Sequence, residues 1–272
     1  MHDRPIGVFD SGLGGLTVMR ALIDLLPHEP LVYFGDTGRF PYGPKPGDEV
    51  LKYALQIGDL LADQEAKLVV VACNSAASVA LDALRARLDV PVIGVIEPGL
   101  RAAARVSPSG RIGVIGTVGT IASGAYQRVA DAGDAEVELT CAACPGFVEF
   151  VEAGDVESDQ VHVLAERLLA PVRNAGVDTL VLGCTHYPLL ARTISDVMGR
   201  DVVLVSSADE TAFEVRACLD ELGLARAGGG GAGRHTFLTS GDVETFRQLG
   251  ERFLGPEVAS VEHWEWAERR WI

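Results

Sequence analysis

Two short segments of this chain share one pattern, and they constrain its fold more than any other feature. Val69 to Ala77 runs Val-Val-Val-Ala-Cys-Asn-Ser-Ala-Ala, and Val181 to Leu190 runs Val-Leu-Gly-Cys-Thr-His-Tyr-Pro-Leu-Leu. Each is an apolar run ending in a small residue, followed by a cysteine and then two small or hydrogen-bonding residues. Each follows a stretch with helical spacing, Val50 to Glu65 in one case and Gln160 to Asn174 in the other. Helix, loop, buried strand and cysteine is the order of an open α/β sheet, which binds its ligands at the carboxyl ends of its strands. Cys73 and Cys184 are therefore the first candidates for chemistry.

A second pair of landmarks repeats. Ile6-Gly7-Val8-Phe9-Asp10-Ser11-Gly12-Leu13-Gly14 is echoed by Ile112-Gly113-Val114-Ile115-Gly116-Thr117-Val118-Gly119-Thr120, 106 residues on, while Cys73 and Cys184 are 111 apart. The near-equal offsets point to a duplication: an α/β fold of two pseudo-symmetric βα domains with mainly parallel sheets, the site in the cleft between them. The strand, helix and strand patterns after Gly233 have no counterpart at the end of the first half, so the chain is expected to cross back. The expected domains are residues 1–96 plus 206–272, and residues 97–205.

Several local expectations follow from turn and cap chemistry. They are a helix from about Ser78 to Leu88, strands at Val92 to Ile96 and Val137 to Cys141, a helix from Ile121 to Asp131, and a loop from Cys144 to Glu152. A capping box is read at Ser207-Ala208-Asp209-Glu210, a flexible connector at Ala227 to Gly233, and a strand at Val258 to Val261. Trp264, Trp266 and Trp271 are read as a tail packed on its own domain, with a docking surface for a second subunit as the alternative.

Charge and cysteine usage exclude some functions. The formal net charge of −15 disfavours nucleic acid, because an acidic surface repels phosphate rather than displacing its counterions. No run is long and apolar enough for a membrane span, and the start leads into a strand rather than a signal segment. Five cysteines, two of them at apolar strand ends, suit a reducing cytoplasm.

Three chemistries could use two matched cysteines. A redox pair is usually Cys-x-x-Cys, which Cys73 and Cys184 are not. Cys141-Ala142-Ala143-Cys144 has that spacing but no second pair or nearby histidine, and is read as coincidence rather than a metal site. A cysteine hydrolase leaves one thiol idle. Inversion of a stereocentre needs a base on one face of a carbon and an acid on the other, and the duplication favours it. A thiolate at a helix start is expected to have a lowered pKa. No lysine among Lys45, Lys52 and Lys67 stands in a context for a Schiff-base cofactor. Cofactor-free chemistry would then draw on N–H groups and hydroxyls at Ser11, Asn74, Ser75, Thr117, Thr120 and Thr185.

Asp10-Ser11-Gly12, Gly35-Asp36-Thr37 with Pro41-Tyr42-Gly43, Cys73-Asn74-Ser75, Gly116-Thr117 and Gly183-Cys184-Thr185-His186-Tyr187-Pro188 together resemble the cofactor-independent glutamate racemases. The resemblance runs in order from Ile6 to about Ala212. It implies interconversion of L- and D-glutamate with no cofactor or metal, the D-isomer serving peptidoglycan synthesis. By that pattern Cys73 would take the proton of D-glutamate and Cys184 that of L-glutamate, with Asp10 and His186 assisting. Asp10, Ser11, Tyr42, Gly43, Asn74, Ser75, Thr185 and His186 would hold substrate, with Thr117 and Thr120 as further contacts. Glu152 matches a carboxylate near the second cysteine, and Pro41 belongs to the same loop motif as Tyr42. The resemblance also implies a cytoplasmic enzyme, and a homodimer is expected. One departure is Ser75, where threonine is more usual: the hydroxyl is kept and a methyl lost. The rivals are a racemase for aspartate or a hydantoin, and a non-catalytic α/β protein that binds a small anion.

Overall fold

The computed structural model describes residues 2–133, 136–227, 231–258 and 260–266. The first run of elements is β1 (Ile6–Asp10), α1 (Leu16–Leu25), β2 (Leu31–Gly35), α2 (Gly47–Asp63), β3 (Leu68–Val71), α3 (Asn74–Arg87), β4 (Val92–Gly94) and α4 (Ile96–Val106). The second is β5 (Arg111–Gly116), α5 (Val118–Ala122), α6 (Ala125–Ala132), β6 (Glu138–Ala143), α7 (Phe147–Ala153), α8 (Asp159–Asn174), β7 (Thr179–Gly183), α9 (Ala191–Met198) and β8 (Val203–Ser206). The chain closes with α10 (Ser207–Glu221), β9 (His235–Thr239), α11 (Val243–Leu254) and β10 (Val261–His263).

Two sheets result, with strand orders β10-β9-β2-β1-β3-β4 and β6-β5-β7-β8. Every pairing between these strands is parallel. The order β2-β1-β3-β4 in one sheet matches β6-β5-β7-β8 in the other, so the two halves share one topology. Strands β1, β3 and β7 are buried along their whole length. That is why their sequences read as continuous apolar runs rather than alternations: helices cover both faces of a parallel sheet. The chain does cross back, and β9 pairs with β2 in the first sheet.

Several local readings are corrected. Helix α3 starts at Asn74 rather than Ser78, directly after Cys73. Strand β4 ends at Gly94 and α4 follows at once, a helix that Pro98 and Gly99 disguise because Pro is tolerated in a first turn. Strand β6 runs on to Ala143, beyond Cys141. The segment Cys144 to Glu152 is not all loop. Gly146 and Gly154, at φ 95° and 79°, bracket α7, and such flanking glycines read as turn signals in a short window.

The helix expected from Ile121 to Asp131 is broken into α5 and α6 at Gly124. The cap of α10 is Ser206, whose Oγ accepts from Ala208 N at 3.3 Å, so a single cap one residue earlier replaces the expected capping box. Residues 255–257 form a 3-10 turn and the last strand starts only at Val261. Trp264 and Trp266 pack against the first core; Trp271 and part of the glycine connector, Gly228 to Gly230, lie outside the described residues. Among the described residues no helix is long and apolar enough to cross a membrane.

A buried ion pair ties the ends of this architecture together. Lys67 Nζ lies 2.5 Å from Glu29 Oε2 and also donates to the carbonyls of His2 and Leu224 at 2.9 and 2.8 Å. Glu29 Oε1 accepts from the Arg226 N–H at 2.7 Å. The pair thus joins the start of β3 to the N-terminus and to the segment after α10. Lys67→Met should cost about 3–5 kcal/mol in urea titration, because it strands a buried carboxylate. The double variant Lys67→Met with Glu29→Met should recover a substantial part. Equal destabilisation of single and double variants would show that the stranded charge is not the cause.

Candidate active site

Both cysteines sit where a strand hands over to a helical turn. Cys73 follows β3 and is the N-cap of α3; Cys184 follows β7 and precedes a 3-10 turn at Tyr187–Leu190. Both line one cleft, together with Ser11, Asn74, Ser75, Thr117, Thr185 and His186. The Pro41-Tyr42-Gly43 loop lines it as well. Of the residues expected from sequence, Asp10, Thr120 and Glu152 do not reach the cleft surface and stand immediately behind it.

On the first side the Cys73 thiol donates to Ser11 Oγ at 3.6 Å. Burial, reinforced by the negative charge of Asp10, pushes this thiol up to about 12, against hydrogen bonds from the backbones of Ala76 and Ser11. The expected lowering of its pKa at a helix start is therefore reversed: desolvation of the sulfur outweighs the helix amides.

Asp10 is fully buried at the end of β1. Its Oδ1 accepts from Gly12 N at 2.8 Å and its Oδ2 from Thr185 Oγ1 at 3.2 Å. Burial raises its pKa, while His186 and these hydrogen bonds pull it back. Asp10 thus faces both halves.

On the second side Cys184 Sγ lies 4.0 Å from His186 Nδ1, and His186 Nε2 lies 2.9 Å from Glu152 Oε1. Burial alone would lower the His186 pKa, but hydrogen bonds to Cys184 and Glu152, with the charges of Cys184 and Asp10, raise it to about 10. Phe40 and Phe253 enclose the ring, at centroid distances of 6.0 and 5.8 Å. Gly14 makes room for it: a Cβ there would meet Thr185 Oγ1 at 2.3 Å and His186 Nδ1 at 2.5 Å.

Between the two sides, Ser75, Thr117 and Thr120 form a cluster of hydroxyls 3.0–3.3 Å apart that bridges the halves. Asn74 Nδ2 donates to Tyr126 OH at 3.0 Å, leaving Asn74 Oδ1 buried and without a hydrogen-bond partner among the described residues. Gly43 packs on Thr117, and its carbonyl accepts from Gly119 N at 2.9 Å, docking the loop onto α5. Lys45 pairs with Glu49 and Lys67 with Glu29, and neither they nor Lys52 line the cleft. Among the described residues no three His, Cys, Asp or Glu side chains gather as metal ligands.

Residues 6–214 match the family model described as Asp/Glu/Hydantoin racemase. The chain belongs to that family. It is thus a racemase, an isomerase. A glutamate racemase from Acidothermus cellulolyticus is 53% identical over 261 residues, covering 96% of this chain and 99% of that one. The crystal structure of a glutamate racemase from Bacillus anthracis superposes with a TM-score of 0.93 at 42% identity, covering 97% of this chain and 98% of that one. That of Francisella tularensis glutamate racemase in complex with D-glutamate gives 0.90 at 33% identity, with the same coverage.

In this racemase, Cys144 also lines the cleft and Cys141 does not, and both are free thiols. The signal for Cys144 lay in its place after β6, at the same sheet edge as the other cysteines. Phe40 and Tyr126 carried no sequence signal, because their roles arise only when distant elements meet.

Two outcomes test this geometry. Gly14→Ala should keep the fold but displace the His186 ring and lower turnover about a hundredfold, the scale of a misplacement near 1 Å. His186 should remain an imidazolium in wild type up to about pH 10 by NMR titration, and Glu152→Gln should move its titration down. Since the folded value lies above the unfolded 6.5, the stabilisation from this proton is complete below about pH 6.5 and is lost as pH rises through about 10. Titration of His186 at 6.5 in wild type would overturn the assignment of its partners.

Proposed function

We propose that this protein interconverts L- and D-glutamate without a cofactor, by proton transfer at Cα between Cys73 and Cys184. The observation that carries the reading is the placement of two thiols, from topologically equivalent strand ends, on one cleft. The glutamate racemases that the chain resembles support the choice of substrate. D-glutamate made this way would supply peptidoglycan synthesis.

In the direction from L to D, the Cys184 thiolate takes the Cα proton of L-glutamate. The electron pair left on carbon delocalises into the adjoining carboxylate. Cys73 then delivers its proton to the opposite face, so Cys184 ends as thiol and Cys73 as thiolate. The reverse direction exchanges the roles. A Cys73 thiol pushed up to about 12 keeps its proton at neutral pH and suits a donor. The His186 imidazolium, 4.0 Å from Cys184 Sγ, faces the sulfur when it carries negative charge.

The open acceptor of Asn74 suits the substrate ammonium. The N–H and hydroxyl groups of Ser11, Ser75, Thr117 and Thr185 suit its carboxylates, with Thr120 behind them bonded to Ser75 and Thr117. Tyr42, Gly43 and Pro41 close the loop side. Asp10 and Glu152 act through the groups in front of them, by orientation and charge.

We take the domains as 1–96 with 206–272, and 97–205, a division supported by the sheet to which each strand belongs. A homodimer is part of the same reading.

Purified protein with L-glutamate in heavy water should lose the Cα proton signal as optical rotation decays toward zero. Cys73→Ala and Cys184→Ala should each reduce racemisation about a thousandfold or more, the scale of a lost acid or base. Full turnover in either variant would remove the two-thiol mechanism. Exchange with aspartate but not glutamate would keep the mechanism and change the substrate.

A further inference from the structure

Trp264 and Trp266 are absorbed neither by the proton-transfer residues nor by the hydroxyl cluster, yet Trp266 packs on Arg39, three residues before Tyr42. Trp266 and Tyr53 sandwich the guanidinium of Arg39, each ring centroid 4.1 Å from its central carbon. Arg39 Nε pairs with Asp36 Oδ2 at 2.7 Å, and its Nη1 donates to Gln56. Its Nη2 is buried with no hydrogen-bond partner among the described residues. The two ring faces are therefore what hold that end of the side chain, an arrangement favoured by the ring quadrupoles when the cation is desolvated.

Asp36 is fully buried at the end of β2, and it collects donors from three parts of the chain. Arg39 and the Tyr42 hydroxyl both reach its Oδ2, and Ser240 Oγ donates to its Oδ1 at 2.6 Å. The Tyr42 ring also lies 5.7 Å from the Tyr53 ring. Two routes thus run from Trp266 to Tyr42, one through Arg39 and Asp36 and one through Arg39 and Tyr53. Tyr42 lines the cleft, and its neighbour Gly43 is bonded to Gly119 across it.

We propose that Trp266 and Arg39 are positioning residues for the Tyr42-Gly43 loop: the tail clamps Arg39, Arg39 orients Asp36, and Asp36 fixes Tyr42 against the substrate. Trp266 touches no reacting atom and acts only through the loop. This inference rests on the reading of the cleft as the glutamate site. Because the loop binds substrate rather than moving its proton, loosening it should weaken binding more than chemistry.

The test uses full-length protein and three variants: Trp266→Ala, Trp266→Phe and Arg39→Ala. In Trp266→Ala and Arg39→Ala the KM for L-glutamate should rise about tenfold with kcat within about twofold, the scale of a desolvated cation–π contact. Trp266→Phe, which keeps a ring face over Arg39, should restore most of the affinity. Independently of turnover, the amides of Gly119 and Lys45, which bond to the carbonyls of Gly43 and Tyr42, should exchange faster with deuterium in both alanine variants. Those of the Cys73 strand should not change.

Unchanged KM and unchanged exchange at Gly119 would overturn the proposal. So would a kcat loss with KM constant, or a Trp266→Phe variant no better than Trp266→Ala. If wild type itself fails to racemise glutamate, the substrate reading falls. The exchange at Gly119 and Lys45 then still decides whether the tail holds the loop.

Discussion

In a parallel sheet every strand points the same way, so every carboxyl end lies on one edge, and the loops that leave that edge are forced together. The two sheets here obey this rule separately, and their carboxyl edges face a common cleft. Ser11 after β1, Cys73 after β3, Thr117 after β5 and Cys184 after β7 are brought to it by strand polarity alone. The strand ends of β3, β5 and β7 contribute two or three residues each, and the longer connections after β2 and β6 close over them. The precision of the site is thus inherited from the backbone ladder.

Charge is distributed unequally over this symmetric frame. The Cys184 side holds a buried imidazole between a thiol and a carboxylate, whereas the Cys73 side has a serine hydroxyl, helix amides and the rear of Asp10. Asp10 belongs to the first half by sequence but is bonded to Thr185 of the second. It couples the two sides: its charge raises both the Cys73 thiol and the His186 imidazolium. The duplicated fold thus gives the two thiols like positions with unlike neighbours.

The duplication was legible because buried parallel strands write themselves as continuous apolar runs, two of which ended in cysteine, and the crossing back because the elements after Gly233 had no counterpart at the end of the first half. The residues adjoining those runs that line the cleft were legible for the same reason. Short elements bounded by glycine or proline were not: α4 carries Pro98 and Gly99 in its first turn, and α7 lies between Gly146 and Gly154. The lowered thiol pKa expected at the start of α3 failed on a quantity that sequence does not carry, the extent to which the sulfur is removed from water. Tyr126 and Phe40 were invisible, since their contacts join residues far apart in the chain.

The return of the chain to its first sheet has a consequence for the order of synthesis. The sheet of β5 to β8 has all its strands once residue 206 has left the ribosome. The first sheet receives β9 and β10 only when residue 263 is made. The half that begins the chain is therefore the last to be finished, and β2 waits with an open edge while the other half assembles. Phe34 and Leu31 on that strand are apolar, so the nascent chain carries an unpaired adhesive edge through most of its elongation.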